Sequence, residues 1–501
     1  MKTMRCVISL FLLCIMLCLT PMSVLAIDDR IDVCYTINEN NERVSMPQMY
    51  RFLENLRGSY DGMEMSNPND LCIASDGKIY VADTGNSRIL KFSERGEYIC
   101  SFDNGEESGL ITPKGVATDE EQNIYIADSG NQRIVVLDQE GHFQYAHGKP
   151  DSDMLSGLAV YEPTKIDIGI NGTLNVLVGK EFMSLSKDNE FLGYVGSADV
   201  GFSLKNLLIN IFASERQKKL ITKVQPDTYN NFTISDSGMI YAVSYGLENQ
   251  IKKITSVGDN IYPNGKYGEY GLNQWNIKVR PNFSDIAVSD SEIIFVSELN
   301  TGRIYQYDRN GQLLSVFGGS GSGEGLFLSI SAIDVDAQGN LYVLDSGYGQ
   351  IQVFHPTYFN ELILEASDLY ENGEYDASYE KWMEVLDLHD SYPIALSTVA
   401  KILYKNKDFV ASQEYYQLVD DQEGYGKANG EVKHEWVSEH FLLVCLILFA
   451  VFIAVLVGVF KFKRYADKMN HDLNYGVERK RRKKSAGGIK WGNYIHMSYK
   501  S

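Results

Sequence analysis

The stretch "VADTGNSRI" at residues 81–89 returns as "IADSGNQRI" at residues 126–134, with Asp, Gly, Asn, Arg and Ile at matching places. Self-similarity at a period of roughly 40 to 50 residues marks a chain built from repeated supersecondary units. Aligned on this phrase, six units follow one another, at 67–102, 112–148, 161–196, 229–258, 280–319 and 328–359. Within the first, "DLCIA", "KIYVAD", "RILKFS" and "YICSF" are runs rich in Ile, Val, Tyr and Phe, separated by the turn-forming "SDG", "TGNS" and "ERG". Four short strands per unit, with no long soluble helix between units, predict a mainly β fold: a β-propeller of six blades, whose radial closure leaves few sheet edges exposed.

The repeated phrase assigns work to its residues. The chain must reverse after the second strand of each unit, and Gly85 and Gly130 are expected to take the positive φ that such a reversal uses. Asp83 and Asp128 are placed to accept backbone N–H groups in that turn, beside Asn86 and Asn131. Arg88 and Arg133 are placed to donate a guanidinium fork to a nearby carboxylate. Glu298 and Arg303 keep the charge spacing in the fifth unit; Asp345 keeps the acid in the sixth, where Gln350 replaces the arginine. A feature repeated in several units is structural before it is catalytic, because an active site is needed once.

The doublets "DTGNSRI" and "DSGNQRI", the lead-in "NPNDLCIASDGKIYVAD" and the linker "FGGSGSGEGLF" resemble NHL repeats over about residues 60–359, most clearly in the first two units. That resemblance implies a six-bladed propeller. Segment 27–66 is the expected propeller closure, and 67–359 the propeller itself.

Beyond the propeller the pattern turns helical. "LYENGEYDASYEKWMEVL" (369–386) is echoed by "LYKNKDFVASQEYYQLV" (403–419), which sets Tyr370 against Tyr404, Tyr375 against Phe409, Ala377 against Ala411 and Trp382 against Tyr416. The thirty-four-residue offset resembles tetratricopeptide repeats, so 360–420 is expected as a small TPR-like annex packed on the propeller or on a partner. Residues 421–440 are polar and read as a juxtamembrane linker. Residues 441–460, "FLLVCLILFAVFIAVLVGVF", carry no charge and no proline, which suits a transmembrane helix. Residues 1–26 have the basic start, apolar middle and small-residue end of a signal peptide. Lys and Arg crowd the tail 461–501, so the expected topology is single-pass in the plasma membrane, N-terminus outside and C-terminus cytoplasmic.

The net charge of −20 divides unevenly. The tail holds twelve Lys or Arg against three Asp or Glu and the leader adds two more positive charges, leaving about −31 for residues 27–460. An ectodomain this acidic repels phosphates and argues against nucleic acid as its ligand. Of seven cysteines, three fall in the leader and Cys445 in the span; Cys34, Cys72 and Cys100 remain, too few for a disulfide scaffold.

No nucleophile elbow, zinc-helix motif or phosphate loop occurs, and His142, His147 and His355 stand at unmatched blade positions. No cofactor is expected, and no residue set identifies a metal site. In the gap between the third and fourth units, 201–221 reads as an amphipathic helix. The loop "YPNGKYGEYGLNQW" (262–275) interleaves Tyr262, Tyr267, Tyr270 and Trp275 with amide and charged residues, a mixture that stacks on sugar rings or anchors a protein interface. The expected function is non-catalytic binding or scaffolding of a protein or carbohydrate at the cell surface, accompanying a carbohydrate import system. The alternative is a calcium-dependent hydrolase or lyase resembling lactonases of the same fold.

Overall fold

The computed structural model describes residues 34–38, 40–103, 109–155, 157–196, 228–256, 258–272 and 277–485. The expected leader, the amphipathic run 201–221, Trp275 and the tail beyond Ser485 lie outside the described residues. The chain divides into two compact units, one running to Ile402 and including Leu418–Asp421, the other comprising Leu403–Gln417 and the chain from Gln422 onward.

In the first unit the strands form antiparallel sheets in sequence order. The first sheet joins Asp70–Ile73, Ile79–Asp83, Arg88–Phe92 and Tyr98–Phe102. The innermost strands of successive sheets, Asp70–Ile73, Pro113–Thr118, Pro163–Ile168, Asn231–Ile234, Phe283–Val288 and Ile330–Val335, neighbour one another in that order, and the last returns to the first. The arrangement is a β-propeller. Tyr50–Leu56 pairs with Gln350–Pro356 and so supplies the fourth strand of the last sheet, while Cys34–Ile37 adds to the outer edge of the fifth.

The middle strands show why the sequence reads as near-continuous apolar runs. Ile79–Asp83 and Arg88–Phe92 are buried at all five positions, because each face packs on a neighbouring sheet. The core is therefore a set of inter-blade layers: Tyr80, Ile89, Val116, Ile126 and Val135 fill the space between the first two sheets. Ile79, Leu90 and Phe92 meet Tyr342, Ile351 and Val353 where the last sheet returns to the first. Full burial of each such side chain stabilises the fold by roughly 1.5 to 3 kcal/mol.

Among the described residues, five complete blades of four or more strands are present rather than the six expected. The unit expected as the fourth blade contributes three strands, Asn231–Ile234, Ile240–Val243 and Ile251–Ile254. After Ile254 the chain meets Gly258, Pro263, Gly265 and Gly268. Glycine and proline at this density break a strand, and only an isolated bridge from Ile254 to Asn260 survives at that edge.

The helical region begins at Tyr358–Glu371, whose N-cap Thr357 accepts from the Asn360 N–H. This helix docks on the fifth sheet: Gln306 donates to Asn360 (3.0 Å) and Arg309 pairs with Asp368 (2.8 Å). Tyr375–Leu388 packs antiparallel to it through Trp382, Val385 and Leu386. At the turn between them Tyr370 meets Tyr375 edge-on, centroids 5.4 Å apart. In the second unit Tyr404 meets Phe409 in the same way at 5.2 Å, so the thirty-four-residue echo marks two equivalent helix–turn–helix corners. Residues 421–440, expected as a juxtamembrane linker, contain the helix Gln422–Glu439, and Phe441–Ser485 is one continuous helix that begins with the apolar run and continues well past its end at Phe460.

Candidate functional site

The repeated phrase ends a hairpin in which Asp83 stands opposite Arg88 and Asp128 opposite Arg133. The two turns are nearly superposable: φ,ψ is −81°,74° at Asp83 and −82°,74° at Asp128, then 55°,45° at Ser87 and 56°,43° at Gln132. In each, Arg Nε donates to the Asp Oδ2 at 2.8 Å, Asn86 or Asn131 shares the same oxygen, and Oδ1 accepts a backbone N–H seventeen residues upstream, from Ser66 or Ile111. The remaining guanidinium nitrogens of Arg88 reach the carbonyls of Tyr60 and Met63. The motif thus fastens the tip of each blade to the linker that arrives from the blade before. Asp345 does the same for the N–H groups of Leu328 and Ser329, and Glu298 for that of Asn282. In the fifth unit the charge spacing persists without the pair: Glu298 binds Thr301, and the Arg303 guanidinium lies 5.8 Å from the centre of the Tyr35 ring.

The positive φ expected at Gly85 and Gly130 falls instead on Ser87 and Gln132. Glycine is needed for close approach. A Cβ at Gly85 would stand 2.5 Å from the Ser66 carbonyl oxygen, and one at Gly130 2.4 Å from Ile111 Cγ2.

The aromatic loop turns inward. Tyr262 (3% exposed) and Tyr267 (5%) belong to the core between the fourth and fifth sheets, and the Tyr262 hydroxyl donates to the Asp308 carbonyl. Only Tyr270, 57% exposed, faces water among the described members of the set. The three propeller histidines stay apart. His142 bonds its own turn at Asp138, His147 the Lys187 carbonyl, and His355 the Asn340 side chain. Ligating atoms of Asp138, Glu140 and His142 lie within 4.8 Å of one another, but Asp138 there caps the hairpin turn through the N–H groups of Glu140 and His142. Cys34, Cys72 and Cys100 are free thiols, and burial pushes the Cys34 thiol up to about 12.

Polar groups that the sequence reading did not single out line the propeller axis. Hairpin registers place Asp70, Lys165 and Asp285 at one level, and Cys72, Asp167 and Asp334 two residues further along, on the same strand faces. Lys165 Nζ donates to Asp70 Oδ1 at 2.7 Å. The other oxygens tie blade to blade: the N–H of Val116 donates to Asp70, that of Ile234 to Asp167, that of Ile333 to Asp285 and that of Ile73 to Asp334. Burial raises the carboxyls of Asp285 and Asp334 to about 7 and that of Asp167 to about 6, each opposed by Lys165. The available signal was an acid or lysine recurring at alternate inner-strand positions, as in "DLC", "KID" and "IDV".

A cleft of about 520 Å³ opens where the turn after Leu174–Val178 meets the starts of the fourth and fifth inner strands. Lys180, Asn230, Tyr245, Asn282, Ser284 and Leu299 line it, with the rings of Tyr229 and Phe283. Asn230 Nδ2 donates to the Phe283 carbonyl at 2.9 Å, as Asn69 does to that of Lys114 in the first blade. Ser284 Oγ lies 2.9 Å from Ser297 Oγ.

Fold and repeat define a β-propeller protein with NHL repeats and a helical C-terminal region containing one helix long and apolar enough to cross a membrane. The NHL repeat family matches residues 65–92 and 110–137, the two copies of the opening phrase. Among solved structures, the chain is similar to a streptogramin B lyase (14% identity, 66% of this chain and 88% of that one, TM-score 0.38). It is also similar to a gluconolactonase from Xanthomonas campestris (13%, 64% and 97%, 0.40) and to a protein of unknown function from Bacteroides thetaiotaomicron (11%, 60% and 72%, 0.40). No curated protein matches the sequence.

Proposed function

We propose that the propeller is a non-catalytic recognition module held at the cell surface by the apolar helix, with the 520 Å³ cleft as its ligand site and a carbohydrate as its ligand. The observation that carries this reading is the chemistry of the cleft: amides, hydroxyls, one ammonium and aromatic or aliphatic surface, with no carboxylate, imidazole or thiol among its described lining residues. Such a wall hydrogen-bonds and stacks on an uncharged polyhydroxylated ligand. It offers Ser284 no base, since the hydroxyl's partner is another serine. The exposed Tyr245 ring is the stacking surface, and Asn230 and Asn282 supply the amides.

Glycan arrays and calorimetry on the ectodomain 27–436 test the reading. Tyr245→Ala is expected to weaken carbohydrate binding about tenfold or more, consistent with a lost stacking contact of ~1.5 kcal/mol, while the melting temperature holds. Calcium-dependent turnover of a lactone or polysaccharide would replace this reading with the hydrolase or lyase alternative. Protease added to intact cells should remove epitopes from 27–436 and spare one placed after Lys463; the opposite pattern would overturn the outward orientation.

A further inference from the structure

The helix Phe441–Ser485 does not end where its apolar run ends, and its second half has a pattern of its own. At 100° per residue, Phe462, Tyr465, Met469, Leu473 and Val477 fall within an arc of about 120°, the width of an amphipathic face. Ala466 and Gly476 lie in the same arc, and no charged residue between 462 and 477 enters it. The five large side chains are each more than half exposed. Lys461 and Lys468 lie beyond one edge of the arc beside Asp472, Lys463 lies beyond the other with Asp467, and Arg464 is on the opposite face; with "RKRRKK" at 479–484, residues 461–485 hold ten Lys or Arg against three Asp or Glu.

We propose that the segment from Lys461 to Ser485 lies along the cytoplasmic membrane surface, its apolar arc in the boundary between headgroups and acyl chains and its basic residues on anionic lipid headgroups. This rests on the reading of 441–460 as a membrane span. Two arguments select the lipid surface. The first is charge: a second copy packed on this arc would bring together two segments each carrying ten basic against three acidic residues, whereas an anionic surface complements that excess and the 479–484 cluster. The second is reach. As a straight continuation of the span, the helix would carry Arg479 about 28 Å beyond Phe460, several times the ~8 Å Debye length, and leave five large apolar side chains in water. Laid flat, the segment buries the arc ~5 to 10 Å into the interface and brings every basic residue within range of the headgroups. Lying flat requires the helix, continuous in the structure, to bend where the apolar run meets Lys461.

The test uses the full chain reconstituted in vesicles of phosphatidylcholine, with and without phosphatidylserine, carrying a photo-reactive benzophenone side chain in place of Leu473 or of His471 on the opposite face. Lipid adducts are expected from the Leu473 position at severalfold the yield from His471, rising with phosphatidylserine and falling with salt. Met469→Glu should reduce the Leu473 adducts severalfold. Equal or absent adducts at the two positions, in protein that alkaline carbonate fails to extract, would overturn the inference and leave the anchor standing. Chain-to-chain adducts at Leu473 would show that a second copy covers the arc and would equally overturn it. Extraction by carbonate would remove the anchor reading and this inference together.

Discussion

Asp83 and Arg88 show what the repeated phrase is for. The Asp83 carboxylate is fully buried and holds three donors, and Arg88 is 3% exposed, so removing the guanidinium leaves a buried negative charge with its strongest partner gone. Arg133 makes the same bond to Asp128 but is 16% exposed, and water can take over part of its role. Arg88→Ala should therefore cost roughly 3 to 5 kcal/mol, and Arg133→Ala less, on the order of 1 to 2 kcal/mol. Denaturant unfolding of the ectodomain checks both values and their order. Equal losses would mean that exposure does not set the strength of the pair. The glycines of the same phrase teach a related lesson. Sequence can mark Gly85 as obligatory, but whether the reason is φ or the nearby Ser66 carbonyl depends on a chain segment that arrives from the previous blade.

Among the elements, hairpins were legible and edges were not. "KIYVAD" and "RILKFS" became strands because both faces are covered and the turn between them is local. The missing outer strand of the fourth sheet and the inward turn of 262–275 depend on what lies beside that edge, which a single unit's sequence does not contain. Aromatic residues among Gly, Asn and Lys suit a ligand loop, yet Tyr262 and Tyr267 occupy a core flank that a broken strand leaves open. Replacing either by Ala should cost about 3 to 5 kcal/mol, the usual loss for a large buried aromatic side chain, while Tyr270→Ala, at an exposed position, should lower the melting temperature much less. Thermal melts of the three variants decide this. A neutral Tyr262→Ala would return the loop to the list of candidate binding surfaces. The axial acids were hidden for the same reason, since a period of two along one strand does not reveal that several strands aim at one axis.

At the scale of the whole ring, those acids make stability depend on pH in an unusual direction. Asp167, Asp285 and Asp334 titrate at about 6, 7 and 7 when folded, chiefly because burial disfavours the charged form; an unfolded chain titrates them near ~3.9. The folded state therefore holds its protons more tightly than the unfolded state does. The resulting stabilisation is complete below the unfolded value and is lost as pH rises through 6 to 7. Carboxylates held ionised by partners give their stability above the unfolded value and lose it only in acid, so the ectodomain should depart from that pattern and melt at a lower temperature near pH 8 than near pH 5. Asp285 should contribute much of the slope, because one of its oxygens has no hydrogen-bond partner while the other receives the Ile333 N–H that ties the fifth sheet to the last. Asp285→Asn removes the titration and keeps an acceptor for Ile333, so it should flatten the pH dependence of the melting temperature while leaving the ring closed. Lys165→Met should act oppositely, lowering stability most at neutral pH and above, because Asp70 loses its cation, burial then pushes its carboxyl higher, and folding must take up a proton there. A melting temperature that climbs from pH 5 to 8 in the parent, or an unchanged slope in Asp285→Asn, would show that the axial carboxylates are ionised throughout and that something other than protons balances their charge.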